Sequence, residues 1–439
     1  MRVLRLGDIC EKIGSGLTPR GGSSVYQSSG IPLIRSQNVY NEGFNSSGLA
    51  YLNEEQASAL DIVSVLQDDV LLNITGDSVA RVCQVPEQFI PARVNQHVAI
   101  IRPNKAILNP CYLLYFLRSP QMQQYMLSLA SAGGTRNALT KSMIEDFQIP
   151  SLPQDEQNSI VEMLGSLDSK IELNHQINET LEGIIQTLFK HWFVDFEFPN
   201  EKGEPYKSNG GMMKNSELGE IPSDWLISRN ISDLCDLVNY GYTQRATKEV
   251  VGPKFLRVTD INKADWISWR DVPFCEIGEK DLEKYVLRRG DILIARMADP
   301  GKVAIFDVNV TAVFASYLIR VRLQNPEMAY YLYYLLKSRY YQDFILGAQS
   351  GSVQKNINAK GLTRGLPIVL PALDIVKKFD DSVTLLRGKI NANCKESEIL
   401  MQIRDSILPR MIKANVKESV YYAAALSNTI AQTSLKRWP

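Results

Sequence analysis

From Gln154 to Trp192 the chain reads QDEQNSIVEMLGSLDSKIELNHQINETLEGIIQTLFKHW, with no proline. Apolar residues return at alternating steps of four and three: Ile160, Leu164, Leu167, Ile171, Leu181, Ile185, Leu188 and Trp192, with Asn174 and Asn178 in the middle. This is the a/d seam of helices that pack side by side at a shallow angle. Adding 219 to each position gives Phe379, Val383, Leu386, Ile390, Asn393, Ser397, Leu400, Arg404, Ile407 and Met411. Nine of the ten positions keep their apolar or polar character, and the exception is Ile185 against Arg404. If the two helices run antiparallel, Asn174 and Asn178 meet Asn393 and Ser397. A polar layer of this kind costs stability but fixes register, because a slip leaves buried amides unpaired. The other reading places these four residues in solvent, on helices that touch only at their ends.

The repeat extends beyond the helices, and a repeat found early constrains the whole fold. Gly16-Leu17-Thr18-Pro19-Arg20 returns as Gly241-Tyr242-Thr243-Gln244-Arg245, and Gly30-Ile31-Pro32-Leu33-Ile34-Arg35 as Gly252-Pro253-Lys254-Phe255-Leu256-Arg257. The stretch from Ala132 to Pro153 matches Ser350 to Pro371 at equal length. Short apolar runs bounded by turn residues read as strands: Val70–Ile74 and His97–Ile101 in the first copy, Gly290–Ile294 and Tyr317–Val321 in the second. Helical spacing follows in Tyr112–Leu117, Met122–Leu129 and Ala329–Leu336, opened by Asn109-Pro110, Ser119-Pro120 and Asn325-Pro326. The expected fold is α+β: two similar α/β domains joined by two long antiparallel coiled-coil-like helices in a pseudo-twofold repeat. A helix of about 38 residues spans roughly 57 Å, more than one turn of B-DNA at roughly 34–36 Å. Such a device would hold two similar surfaces a fixed distance apart.

Bulk properties describe an ordinary soluble protein of 439 residues, 45% apolar and 22% charged. Basic and acidic residues cancel at 48 each. Residues 1–150 hold 12 of each sign, while 229–371 hold 20 basic against 15 acidic, a mild bias that fits solvated surface or a phosphate footprint. The six cysteines are scattered and the three histidines (His97, His175, His191) lie far from them in sequence, which suggests neither zinc nor disulfides. The N-terminal residues lack the apolar run of a signal peptide, and no run of 18 apolar residues occurs, so a cytoplasmic protein is expected.

Catalytic signatures are scarce. Asn109-Pro110-Cys111-Tyr112 approaches the Asn/Asp-Pro-Pro-Tyr/Phe loop of adenine methyltransferases, but Cys111 replaces the second proline and the motif opens an apolar helical segment. The matching Asn325-Pro326-Glu327-Met328 fits helix initiation. No GxxxxGK[ST] phosphate loop is present. The residues read as those of a binding protein with no metal site and no cofactor of its own.

His191-Trp192-Phe193-Val194-Asp195-Phe196-Glu197-Phe198-Pro199, continuing through Pro205-Tyr206-Lys207-Ser208 to Glu217-Leu218-Gly219-Glu220-Ile221-Pro222-Ser223-Asp224-Trp225, resembles the central conserved region of type I restriction-modification DNA specificity (S) subunits. Gly133–Thr140 and Gly351–Ile357 are similar to the closing segments of that family's two target-recognition domains. The resemblance implies a first recognition domain over 1–152, a central helix and connector over 153–225, a second domain over 226–371 and a C-terminal helix over 372–415. The tail, 416–439, has no counterpart and is given no role. Each domain would read one half of a bipartite double-stranded DNA site, and the helices would set the gap. They would also dock two modification (methyltransferase) subunits, and motor-nuclease restriction subunits would join for cleavage. S-adenosylmethionine, ATP and Mg would reside on those partners. The alternatives are a specificity chain of a related defence system and a self-contained DNA methyltransferase.

Bases are read in the major groove by Arg or Lys at guanine and by Asn or Gln at adenine, whereas phosphate contacts position the protein. Repeated polar residues are therefore candidates for shared backbone contacts: Thr18, Arg20, Arg35, Arg136 and Asn137, with Thr243, Arg245, Arg257, Lys355 and Asn356 as the matching set. For Thr18 and Thr243 turn chemistry competes with this role, and for Arg35 and Arg257 a strand-edge salt bridge does. Unmatched residues are the candidate base readers: Arg81, Arg93, Gln96, Arg296, Lys302 and Gln354. Trp192 and Phe193 fall where the family's modification subunit docks, or else are buried against the partner helix.

Overall fold

The computed structural model describes residues 3–132, 137–349 and 364–414. The chain divides after Lys170 and after Glu398, so each of two compact units holds one globular domain and part of each long helix. The segments 133–136, 350–363 and 415–439 lie outside the described residues, and with them Arg136, Gln354, Lys355, Asn356 and the C-terminal tail.

The first unit is organised by an antiparallel sheet in the order Cys10–Ser15, Val98–Pro103, Val70–Asn73, Val82–Gln84. Its central strands are buried on both faces, which is why they read as unbroken apolar runs. Val70, Leu72, Ala99 and Ile101 pack in one core with the helices Pro110–Arg118 and Pro120–Ser131. Leu71, Val98, Ile100 and Cys83, on the other face, pack with a second sheet. That sheet runs Ala50–Leu52, Ile31–Ile34, Ala92–Val94, Ser64–Val65, with the middle two strands parallel. Both helices start on a side-chain cap followed by proline. The Asn109 side-chain oxygen accepts from the Cys111 and Tyr112 amides (2.8 and 3.3 Å), and Ser119 Oγ accepts from Met122 (3.3 Å). Asn109 is thus a helix cap, the role its second-half counterpart Asn325 plays towards the Glu327 amide (3.1 Å).

The second unit repeats this plan. Its sheet runs Cys235–Tyr240, Leu318–Leu323, Asp291–Ala295, Val303–Phe306, again antiparallel. Ile292, Ile294, Ile319 and Val321 pack with the helix Ala329–Lys337. Leu293, Ala295, Ala304 and Leu318 pack on the opposite face, beside Lys254–Leu256, which lies parallel to Ala312–Phe314.

Two repeated glycines have a steric cause. A Cβ on Gly16 would meet the Val94 carbonyl oxygen at 1.9 Å, and one on Gly241 would meet the Ala315 and Phe314 oxygens at 2.3 and 2.4 Å. Each glycine lets its strand pass against the neighbouring backbone, where equivalent hydrogen bonds form: Leu17 to Val94 (3.0 Å) and Tyr242 to Phe314 (2.7 Å).

The long helices cover Gln154–Phe193 and Leu373–Ala414. In the first unit Ile160, Leu164 and Leu167 share a core with Ile407 and Met411, and Asp168 pairs with Arg404 at 2.7 Å. In the second, Ile185 and Phe189 share a core with Phe379, Val383 and Ile390. There Asn174 donates to Glu396 (2.8 Å) and Ser397 (3.3 Å), Asn393 donates to Asn178 (2.9 Å), and Asn178 donates to Cys394 Sγ (3.5 Å). In the second unit rising numbers on the first helix meet falling numbers on the second, Asn174 with Ser397, Asn178 with Asn393 and Glu182 with Arg387, so the helices run antiparallel. Asn174, Asn178 and Asn393 are buried.

Beside the seam of the second unit lies a charged network. Arg387 donates to Asp307 (2.8 Å) and Glu182 (3.4 Å), and Lys337 binds Glu182 (2.5 Å) and Asp265 (2.9 Å). After the first long helix the connector is more packed than its Gly- and Pro-rich sequence suggests. Phe198 stacks on Trp225 at 4.9 Å, and Met213–Ser216 pairs with Gly219–Pro222. Among the described residues no helix is long and apolar enough to cross a membrane.

Candidate nucleic-acid interface

In the first unit the turn after Gly16, the loop before Val98 and the loop after Asn73 converge at one end of the central sheet. Thr18 is exposed, and its hydroxyl donates to the Gln96 side-chain oxygen. Gln96 Nε2 lies 3.1 Å from His97 Nε2, and His97 Nδ1 hydrogen-bonds the Thr75 hydroxyl at 2.7 Å. Asn137, also exposed, accepts from the Gly76 amide through its carbonyl (3.0 Å). The structure therefore brings Thr18, Gln96 and Asn137 to one edge and adds His97 and Thr75. Sequence reasoning proposed neither as a DNA contact; the signal for His97 was its adjacency to Gln96 at a strand start. Arg81 closes the same loop with its guanidinium 4.6 Å over the Tyr40 ring, and Arg20 is exposed on the turn.

The second unit presents the equivalent edge with other side chains. Gly241 donates to Leu318 as Gly16 does to Val98 (3.2 and 2.9 Å), so Ser316 and Tyr317 occupy the places of Gln96 and His97. Thr243 and Arg245 are exposed on the turn. Arg296 stacks on Tyr240 (4.7 Å) and its amide donates to the Tyr317 carbonyl (3.0 Å); Tyr317 is 55% exposed. Lys302 is half-buried at the end of the same loop. Aromatic faces beside guanidinium groups hold the cations in place without neutralising them.

Several candidates are engaged elsewhere. Arg93 is buried, donating to the Ala57 and Ala92 carbonyls (2.9 and 3.1 Å) and to Asp61. This corrects its reading as a base reader: its donors are used inside the domain, tying a strand to the helix that ends near Ser58. Arg257 binds Asp260 through two nitrogens (3.0 and 2.9 Å), and Arg35 donates to the Gly48 carbonyl (2.6 Å), so both serve local turns. Phe193 is also corrected. It is buried in an aromatic cluster with Tyr331 (4.8 Å) and Phe379 (5.0 Å), so it is core and not a docking surface. Trp192 is half-buried, 6.0 Å from Phe379.

The family model described as the type I restriction modification DNA specificity domain matches residues 1–183 and again 222–393. The chain belongs to this family. The type I specificity subunit MjaIX of Methanocaldococcus jannaschii is 27% identical over 418 residues, covering 93% of this chain and 92% of that one. The HindI specificity subunit of Haemophilus influenzae is 23% identical over 379 residues, covering 74% and 81%. Among solved structures, the type I S subunit from M. genitalium aligns with a TM-score of 0.50 at 14% identity over 93% of this chain and 95% of that one, a likeness of fold.

Proposed function

We propose that this chain is the DNA specificity subunit of a type I restriction-modification complex, in which each α/β domain reads one half of a bipartite site. The observation that carries this reading is a shared framework with unlike tips. Gly16 and Gly241 mount equivalent turns, yet the adjacent positions hold Gln96 and His97 in one unit and Ser316 and Tyr317 in the other. Equivalent frames suit equivalent phosphate contacts, and different tips suit different half-sites. Thr18, Arg20 and Asn137, with Thr243 and Arg245, would position the backbone. Gln96 and His97, with Arg296 and Tyr317, would face bases, and Arg81 and Lys302 would support them.

On this reading the long helices set the unspecified gap, each spanning about 60 Å at 1.5 Å per residue. They also dock two modification subunits, which carry S-adenosylmethionine, while restriction subunits carry ATP and Mg. The chain itself selects the site, catalyses nothing and works in the cytoplasm. Methylome sequencing of a host carrying this chain and its partners tests the proposal. Replacing residues 1–150 by the corresponding domain of a relative should change one half of the methylated motif and leave the other intact. A change in both halves, or in neither, refutes independent reading.

A further inference from the structure

The repeat creates a competitor to its own fold. The seams of the two long helices match at nine of ten positions, so two copies of the first helix, from two chains, offer each other nearly the same apolar surface. The amide layer does not separate these pairings. Asn393 and Ser397 lie one repeat of 219 residues from Asn174 and Asn178, so a pair of first helices would again set amide against amide.

The flanking layers differ. In the first unit Asp168, on the first helix, binds Arg404 of the second (2.7 Å); the Tyr115 hydroxyl donates to Asp168 (2.9 Å) and Arg118 stands at 4.0 Å. In the second unit Glu182, again on the first helix, meets Arg387 of the second (3.4 Å), the Tyr334 hydroxyl (3.0 Å) and Lys337 (2.5 Å). Tyr334 and Lys337 lie 219 residues from Tyr115 and Arg118, so the two layers are equivalent places in the repeat. Their polarity is inverted, because the position one repeat from Asp168 is Arg387. In both layers the acid comes from the first helix and the arginine from the second.

We propose that these two charged layers select the partner: the first helix accepts the second helix and rejects another copy of itself. In a pair of first helices at the same register, Asp168 would face the Glu182 turn of the other copy, twice. Arg118 would remain as one cation for two carboxylates. In a pair of second helices Arg387 would face Arg404, twice. Like charges in part-buried places disfavour these assemblies, a repulsive element of specificity beside the attractive one. The amides set the register and the charges set the identity of the pair.

The full-length variant D168R/R404D tests this. It keeps the 168–404 pair complementary, with the new carboxylate at 404 shared by the new guanidinium at 168 and by Arg118, yet gives each helix one acid and one base at equivalent heights, so self-pairing becomes permitted. Two differently tagged copies should co-purify more than about tenfold above two wild-type copies. Mixed-isotope lysine cross-linking should then join the first helices of different chains. The variant D168N/R404Q removes the repulsion without reversing it and should raise exchange by a smaller factor, about threefold. A folded variant of either kind that exchanges no more than wild type overturns the proposal, as does exchange without cross-links between first helices. Failure of both variants to fold also overturns it, since a reversed ion pair in the first and a neutral amide pair in the second should each hold the native seam.

Discussion

Replacing Arg387 by methionine should destabilise the second unit by about 3 kcal/mol. The arginine side chain is 3% exposed and donates to Asp307, Glu182 and the Asp265 carbonyl (2.8, 3.4 and 3.2 Å). Its loss leaves two carboxylates that are themselves 3–4% exposed. Removing one partner of a buried ion pair costs roughly 3–5 kcal/mol, mostly as the desolvation of what remains. The lower end applies here because each carboxylate keeps a partner: Glu182 retains Lys337 and the Tyr334 hydroxyl, and Asp307 retains Asn391 (3.1 Å). Methionine preserves most of the methylene packing, so the measured loss is electrostatic. Four of the five tryptophans, Trp192, Trp225, Trp266 and Trp269, lie in this unit, so intrinsic fluorescence follows its urea unfolding. With a slope of about 2 kcal/mol/M the midpoint should fall by about 1.5 M. Adding D307N to R387M should recover part of the loss. A midpoint shift below about 0.3 M, or losses that simply add in the double variant, would refute the reasoning.

Further outcomes follow from particular contacts. Gly16→Ala drives a methyl group to 1.9 Å from the Val94 oxygen and should cost the first unit about 2–4 kcal/mol or its solubility, read by thermal melting. Burial, with Asp381 and Glu327 beside it, pushes the Asp380 carboxyl from 3.8 up to about 6. The folded state therefore favours the protonated acid: that stabilisation is complete below pH 3.8 and is lost as pH rises through 6. D380N should raise stability at pH 8 by about 1 kcal/mol, after discounting for partial exposure, and change nothing at pH 3; melting curves at both pH values decide it. Arg20→Ala should lower the salt slope of DNA binding by about 0.9 without changing the melting temperature, whereas Arg93→Gln should do the reverse and cost about 2 kcal/mol. Binding isotherms at several salt concentrations, compared with melts, separate the two.

The long helices were legible because a 3.5-residue pattern survives over ten positions, and the central strands because burial on both faces makes them continuously apolar. The second sheet was not legible. Ile31–Ile34, Ala50–Leu52 and Ala92–Val94 are three or four residues each, too short for a period, and they are held by parallel and antiparallel partners distant in sequence. The charged network escaped notice for another reason. Glu182 and Arg387 each sit one position past a seam leucine, where a charge ordinarily faces water. At the candidate interface, sequence placed Gln96 and Arg93 in one class. Gln96 lies in the turn after the strand Ala92–Val94 and reaches the rim, whereas Arg93 lies within that strand, which is buried on both faces, and its donors go to Ala57 and Asp61. Nothing local distinguishes them until the helix carrying Ala57 is in place.

The contacts at Gly16 and Gly241 have one more effect. Each turn is anchored through main-chain atoms that every residue except proline supplies, so exchanges to other residues at 17–20 or 242–245 leave the anchorage intact. Recombination or engineering can refit the fingertips of either domain while its knuckle stays fixed.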